Sequence, residues 1–208
     1  MRAIILAGGE SSRMEQDKAL LKINGQPLLQ YQLDMLIEAK ISTVVVSNEN
    51  KLLNLPASYR NHVCVHWCQD VSISKAGPLS GLLAGLNFFK AASQDAVIVV
   101  ACDVFGLPAC VFEALNEKRL NSGVEIACLS VSNRLQPLVA VLDANLRSSL
   151  QAYFHQGGRS VMKWYKQHGV ACLDETELQA LNLPLGQYAT NLNCKEDVEQ
   201  LLQRLSDG

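Results

Sequence analysis

A chain of 208 residues with 49% hydrophobic side chains can bury one sizeable core, and its net charge of −2 excludes the broad basic surface that nucleic-acid binding needs. No apolar run approaches the roughly 20 residues of a membrane helix, and the run after Arg2 is shorter than the apolar stretch of a secretory leader. The seven cysteines (Cys64, Cys68, Cys102, Cys110, Cys128, Cys172 and Cys194) are odd in number, scattered and without a C-x-x-C pair, which argues against a disulfide framework or zinc site and for a reducing cytoplasm.

Ala3 to Ala7 is a short, continuous apolar run, the pattern of a strand buried on both faces in a parallel sheet. Gly8 and Gly9 stop it and let a ligand approach the main chain. Ser11, Ser12, Arg13 and Lys18 follow, so the loop combines main-chain N–H groups, hydroxyls and two cations, which suits a polyphosphate. Neither the P-loop pattern nor the G-x-G-x-x-G fingerprint fits these residues.

Asn24-Gly25 signals a turn, and Pro27 opens a helix that carries Leu29, Leu33, Leu36 and Ile37 on one face. Thr43 to Val46 reads as a second buried strand, ending in the polar run Ser47-Asn48-Glu49-Asn50. His62 to Trp67 reads as a third, ending at Cys68-Gln69-Asp70. Polar groups at the carboxyl ends of such strands stand where open α/β sheets bind ligands. A helix from Pro78 to Phe89 carries Leu79, Leu82, Leu83 and Leu86, and places Gly77, Gly81 and Gly85 on one face. That bare stripe serves either close helix–sheet packing or close approach of a ligand. Ala96 to Ala101 is the clearest strand and delivers Cys102-Asp103 at its carboxyl end. Strands alternating with helices at this spacing predict an α/β fold with a mostly parallel, doubly wound sheet.

The second half predicts strands over 124–130 and 137–142 joined at Ser132-Asn133-Arg134, then a helix marked by Leu146, Leu150 and Phe154. Gly157-Gly158-Arg159-Ser160 interrupts that helix, and a shorter one with Val161, Met162 and Tyr165 follows. His168 to Leu173 predicts a strand, 174–187 a loop, and Asn193 with Glu196 the capped start of a last helix. No repeat or linker divides residues 1–208, which predicts one domain.

Asp103, just past a central strand, is a natural Mg²⁺ ligand, because Mg²⁺ takes one or two protein carboxylates and fills its shell with phosphate oxygens and water. A cationic cradle facing such a carboxylate is equipment for phosphoryl or nucleotidyl transfer. The four histidines, at 62, 66, 155 and 168, lie away from these motifs.

The run Leu6-Ala7-Gly8-Gly9-x-Ser11-x-Arg13-Met14-x-x-Asp17-Lys18-Ala19-Leu20-Leu21, with Gly77-Pro78-Leu79-x-Gly81-x-x-Ala84-Gly85-Leu86 and Cys102-Asp103-x-x-x-Leu107-Pro108, resembles the molybdenum cofactor guanylyltransferases and their nucleotidyltransferase relatives. The resemblance implies a Rossmann-like, three-layer α/β/α domain with an antiparallel extension in its second half. Residues 1–108 would serve nucleotide and metal, and 109–208 the acceptor. It implies transfer of GMP from GTP to the terminal phosphate of molybdopterin. Main-chain groups of Leu6, Ala7, Gly8 and Gly9 would meet the nucleotide, with Asn48 and Asp70 at the nucleoside. Arg13 and Lys18 would neutralise the triphosphate, and Asp103 would hold Mg²⁺. Gly77, Gly81, Arg159, Asn191 and Asn193 fall on the acceptor side. A monomer or weak oligomer is expected, with transient contact to proteins that deliver or take up the cofactor.

Two positions depart from the family pattern. Glu15 stands where glycine is usual, and Phe105-Gly106 replaces a common proline, which predicts a looser loop after Asp103. The alternatives are a relative that uses CTP on the pterin or a nucleoside triphosphate on a sugar phosphate, and a nucleotide-binding homologue without turnover.

Overall fold

A computed structural model describes residues 1–8, 18–47, 55–71, 77–89 and 95–183, with residues 190, 191, 197 and 203 beyond them. In chain order, β1 (Arg2–Leu6), β2 (Lys22–Ile23) and β3 (Gln26–Pro27) precede α1 (Leu28–Glu38), β4 (Val44–Ser47), α2 (Ala57–Arg60) and β5 (Val65–Cys68). Next come α3 (Pro78–Phe88), β6 (Ala96–Ala101), β7 (Val104–Phe105), α4 (Cys110–Asn121), β8 (Ile126–Val131) and β9 (Arg134–Asp143). The chain then forms α5 (Arg147–His155), α6 (Val161–Tyr165), β10 (Val170–Leu173), α7 (Glu175–Ala180) and β11 (Thr190–Asn191).

Seven strands form the main sheet in the order β10-β8-β9-β6-β1-β4-β5. β5, β4, β1 and β6 run parallel, β9 pairs antiparallel with both β6 and β8, and β10 runs parallel to β8. The four parallel strands thus follow a 3-2-1-4 order, and the order reverses between β1 and β6. The crevice at such a reversal is where open α/β sheets receive ligands.

Alternation along the strands fills two cores. Ala3, Ile5, Val44, Val46, Ile98 and Val100 face α1 and α4, where Leu29, Leu33, Leu36, Val111, Phe112 and Leu115 complete the layer. Ile4, Leu6, Val45, Val97 and Val99 face the opposite layer, built from Leu79, Leu82, Leu83, Leu150, Phe154 and Trp164. Burial on both faces is why the central strands read as unbroken apolar runs.

Both predicted turns form. Asn24 and Gly25 adopt positive φ between β2 and β3, and Ser132 and Asn133 do so between β8 and β9, as two-residue hairpins require. Past the second hairpin the register jumps: Cys128 faces Ala140, but Leu129 faces Gln136. Pro137 lies in the resulting bulge, where its missing N–H costs no ladder bond.

Two expectations need correction. Residues 174–187 do not read as loop throughout, because Glu175–Ala180 is a helix with a full capping box between Asp174 and Glu177. The segment after Asp103 is not loose either. Its Val104–Phe105 pairs antiparallel with β11, the Val104 carbonyl accepts a hydrogen bond from Gln32 Nε2, and the Phe105 ring meets Tyr31 edge-on at 4.9 Å. The helix expected to carry Val198 to Leu205 falls largely outside the described residues, although Asp197 and Gln203 are helical.

Candidate active site

The carboxyl ends of β1, β4, β5 and β6 open on one sheet edge, and the predicted nucleotide residues gather there. Leu6 pairs with Ser47 on one side and with Ala101 on the other. Beyond the strand, the Leu6 carbonyl accepts a hydrogen bond from Cys102 N at 3.2 Å, and Ala7 N donates to Ser47 Oγ at 3.3 Å.

Lys18 sits in a single 3-10 turn, Lys18–Leu20, anchored by the buried Ala19. Its Nζ lies 3.2 Å from Asp103 Oδ2, with side-chain exposures of 24% and 22%, so both groups keep access to a ligand while screened from bulk water. Asp103 occupies the short connection between β6 and β7.

Asp70, just past β5, is half-buried against the glycine turn. A Cβ at Gly8 would lie 3.1 Å from Asp70 Oδ2, and one at Gly81 would lie 3.2 Å from Asp70 Oδ1. Oδ1 is buried with no hydrogen-bond partner among the described residues. Burial pushes the Asp70 carboxyl above its ordinary range, because removal from water disfavours the charged form.

The acceptor-side residues divide. Gly77, with φ of +64°, caps α3, and a Cβ there would lie 3.8 Å from the Arg159 carbonyl, so these two segments meet. The Arg159 guanidinium rests 4.7 Å over the Phe154 ring and donates through Nη1 to the carbonyls of Phe154 and Gly158, at 3.1 and 2.8 Å. The main chain of Asn191 pairs with Val104, next to Asp103, which brings a distant segment to the β6–β7 connection. Gly81 faces Ser47 and Asp70 on the nucleotide side. Gly9, Arg13, Asn48 and Asn193, with Ser11, Ser12 and Glu15, lie outside the described residues.

Ser47 was not singled out from the sequence. Its signal is slight, a single hydroxyl at the end of a valine run, and only the pairing of β4 with β1 gives it meaning. None of His62, His66 and His168 joins this edge: His62 contacts Cys64 Sγ, His66 stacks on Phe88, and His168 bridges Ser149 and Glu125. A cleft of about 850 Å³ opens elsewhere, between α1 and residues 105–110, with Tyr31, Met35, Phe105 and Leu183 in its walls and none of the sequence-predicted site residues. No described helix is long and apolar enough to cross a membrane, and the described residues hold no group of three or more metal-ligating His, Cys, Asp or Glu.

Known proteins resemble this chain in sequence and in fold. The family model of the MobA-like NTP transferase domain matches residues 3–171. A molybdenum cofactor guanylyltransferase of Shewanella amazonensis is 29% identical over 98% of this chain and 96% of its own. A probable molybdenum cofactor guanylyltransferase of Trichormus variabilis is 32% identical over 100% of this chain and 93% of its own. The crystal structure of molybdopterin-guanine dinucleotide biosynthesis protein A from Archaeoglobus fulgidus superposes with a TM-score of 0.78 over the whole of both chains; at 20% identity it speaks for the fold alone. The chain belongs to the MobA-like NTP transferase family and is a nucleotidyltransferase.

Proposed function

We propose that the protein transfers GMP from GTP to the terminal phosphate of molybdopterin, in a Mg²⁺-dependent reaction that releases pyrophosphate. The observation that carries this reading is the meeting of Lys18 and Asp103 at 3.2 Å, beside the main chain of Leu6 to Gly8, where the strand order reverses. Residues 1–108 supply the nucleotide and metal groups, and 109–208 the acceptor side.

In the transfer, an oxygen of the acceptor phosphate forms a bond to the α-phosphorus while the bond from that phosphorus to the bridging oxygen breaks, and pyrophosphate leaves with the electron pair. A phosphate monoester with a second pKa near ~6 is already largely dianionic at pH 7, so its attack needs no general base. The obstacle is repulsion between anions. Lys18 offsets it directly, and main-chain N–H groups of the glycine turn do so without reorganising.

The residues fit Mg²⁺: Asp103 presents hard carboxylate oxygens at the end of β6, on the edge that would receive the phosphates. When bound there, the ion would neutralise charge on the reacting phosphate oxygens. Asp70, half-buried with its Oδ2 against Gly8, stands beside the turn where the nucleoside would bind.

The test is calorimetry with GTP, CTP, ATP and UTP in the presence of Mg²⁺, followed by pyrophosphate release with molybdopterin. Selective GTP binding and acceptor-dependent release support the reading. CTP selectivity would assign the cytidylyl reaction instead, and binding without release in the presence of acceptor would identify a nucleotide-binding homologue.

A further inference from the structure

We propose that Ser47 is a positioning residue for the nucleotide-binding turn, and that residue 81 is glycine to leave room for its hydroxyl. The inference rests on the nucleotide reading of the β1–β6 edge given above, and it assigns Gly81 to the nucleotide rather than to the acceptor.

The argument begins with one peptide group. The Leu6 carbonyl and the Ala7 N–H belong to the same peptide plane. Cys102 N holds the carbonyl at 3.2 Å, and Ser47 Oγ holds the N–H at 3.3 Å. The plane is therefore gripped at both poles, from β6 on one side and β4 on the other. The next peptide, Ala7–Gly8, is the first that can turn its polar groups to a ligand, and its orientation follows from the one before it. The same grip ties the turn to Cys102, the residue before Asp103, so nucleotide and metal groups share one frame.

Ser47 is 1% exposed, one of few polar side chains buried that deeply among the described residues. A buried hydroxyl is costly unless it is hydrogen-bonded, so a serine that closes a valine strand calls for a reason. Holding Ala7 is that reason. The neighbouring helix respects it: a Cβ at Gly81 would stand 2.7 Å from Ser47 Oγ and 2.9 Å from Ser47 Cβ, closer than real Cβ atoms come. It would also stand 3.2 Å from Asp70 Oδ1, so a methyl there presses on two of the groups that face the turn. Gly81 lies inside α3, where its backbone conformation demands no glycine, so the space is the cause.

The experiment measures GTP affinity by calorimetry, acceptor KM by pyrophosphate release, and thermal stability for wild type, Ser47→Ala, Ser47→Cys, Gly81→Ala and the Ser47→Ala/Gly81→Ala pair. Losing one net hydrogen bond predicts GTP binding weakened roughly five- to tenfold in both Ser47 variants, with acceptor KM unchanged. Ser47→Cys keeps the shape with a poor acceptor, so it reads the bond even if the alanine variant folds badly. Gly81→Ala weakens GTP binding in the same direction, and the pair is no worse than Gly81→Ala, because both act on one contact. Wild-type GTP affinity in both Ser47 variants overturns the proposal while leaving the proposed function standing, as does a Gly81→Ala defect confined to acceptor KM. A wild-type protein that binds no nucleotide overturns the proposed function and this inference with it.

Discussion

Lys18 Nζ meets Asp103 Oδ2 at 3.2 Å across 85 residues of sequence. The pair joins a turn that follows β1 to the loop that ends β6, two strands that are hydrogen-bonded neighbours. Partial burial lets each charge strengthen the other's placement without sealing either from a ligand. A cation beside a metal-type carboxylate is suited to gather phosphate oxygens between them. Replacing Lys18 with alanine is expected to lower kcat/KM for transfer about 10²- to 10³-fold, the usual loss when one preorganised charge contact is removed. Asp103→Ala is expected to abolish the Mg²⁺ dependence along with most of the rate. Both variants keep a thermal midpoint within a few degrees of wild type, because the pair reaches solvent. Wild-type turnover in either variant removes that residue from the site.

The buried carboxyl of Asp70 makes a pH-dependent prediction. Its folded-state pKa is raised from the ordinary 3.8 by burial, so the native state holds its proton more tightly than the unfolded chain does. Between 3.8 and the raised folded value the native state binds more protons, and stability falls as pH rises through that window. Above the window the penalty is constant, and below it the penalty is gone. Asp70→Asn is therefore expected to exceed wild type in denaturant midpoint at pH 7, with the gap closing as pH falls from the raised folded value to 3.8. It is also expected to bind nucleotide more weakly, a trade of stability for function. Midpoints measured from pH 3 to 7 check the sign; a gap that widens toward acid contradicts it.

How much of this was legible follows from the kind of signal each feature leaves. The central strands announce themselves as apolar runs because both faces are buried, and the Ser132-Asn133 hairpin because its turn needs positive φ. Lys18 and Asp103 could be singled out because charges that follow buried strands point to a ligand crevice. Ser47 was visible only as the first residue of a polar run, and its role follows from the register that sets it opposite Leu6 and within reach of Ala7 N. β11 was invisible for a related reason, since Thr190–Asn191 becomes a strand only where Val104–Phe105 offers an edge. The capping box of α7 was present in the sequence as Asp174 and Glu177, but only Leu178 of that helix is buried, so no apolar stripe announced it.

At the opposite sheet edge His168 ties three elements together. Its Nδ1 lies 2.9 Å from Glu125 Oε2 and its Nε2 lies 2.8 Å from Ser149 Oγ, which also accepts the indole N–H of the buried Trp164 at 3.2 Å. A tautomer with the proton on Nδ1 donates to Glu125 and accepts from the Ser149 hydroxyl. Both imidazole nitrogens and the Ser149 hydroxyl then have partners, as does the indole N–H of the fully buried Trp164. His168→Ala is expected to cost about 1–3 kcal/mol of stability through the groups it leaves unpaired. Nucleotide affinity and kcat are expected to stay at wild-type values, because none of these residues approaches Asp103. A kinetic defect at full thermal stability contradicts this structural role.

The glycines of α3 share a face and yet answer to different neighbours. Gly77 caps the helix beside Arg159, Gly81 clears space for Ser47, and Gly85 lies directly on β1. A Cβ at residue 85 would stand 2.7 Å from Ile4 Cδ1 and Cγ1 and 2.9 Å from Cγ2. Ile4 is itself fully buried, packed among Leu79, Leu82 and Leu86, so it has no free volume to retreat into. Gly85→Ala must therefore separate helix from sheet or force Ile4 off its rotamer, at about 1–3 kcal/mol. The small gain in helix propensity from alanine, about 1 kcal/mol, offsets part of that. The expected result is a net loss in thermal midpoint with GTP affinity unchanged, the reverse of the pattern expected at Gly81. Combining Gly85→Ala with Ile4→Val should recover part of the loss, because the smaller side chain removes one of the crowded carbons. Failure of that rescue would place the strain in the backbone rather than in the contact with Ile4.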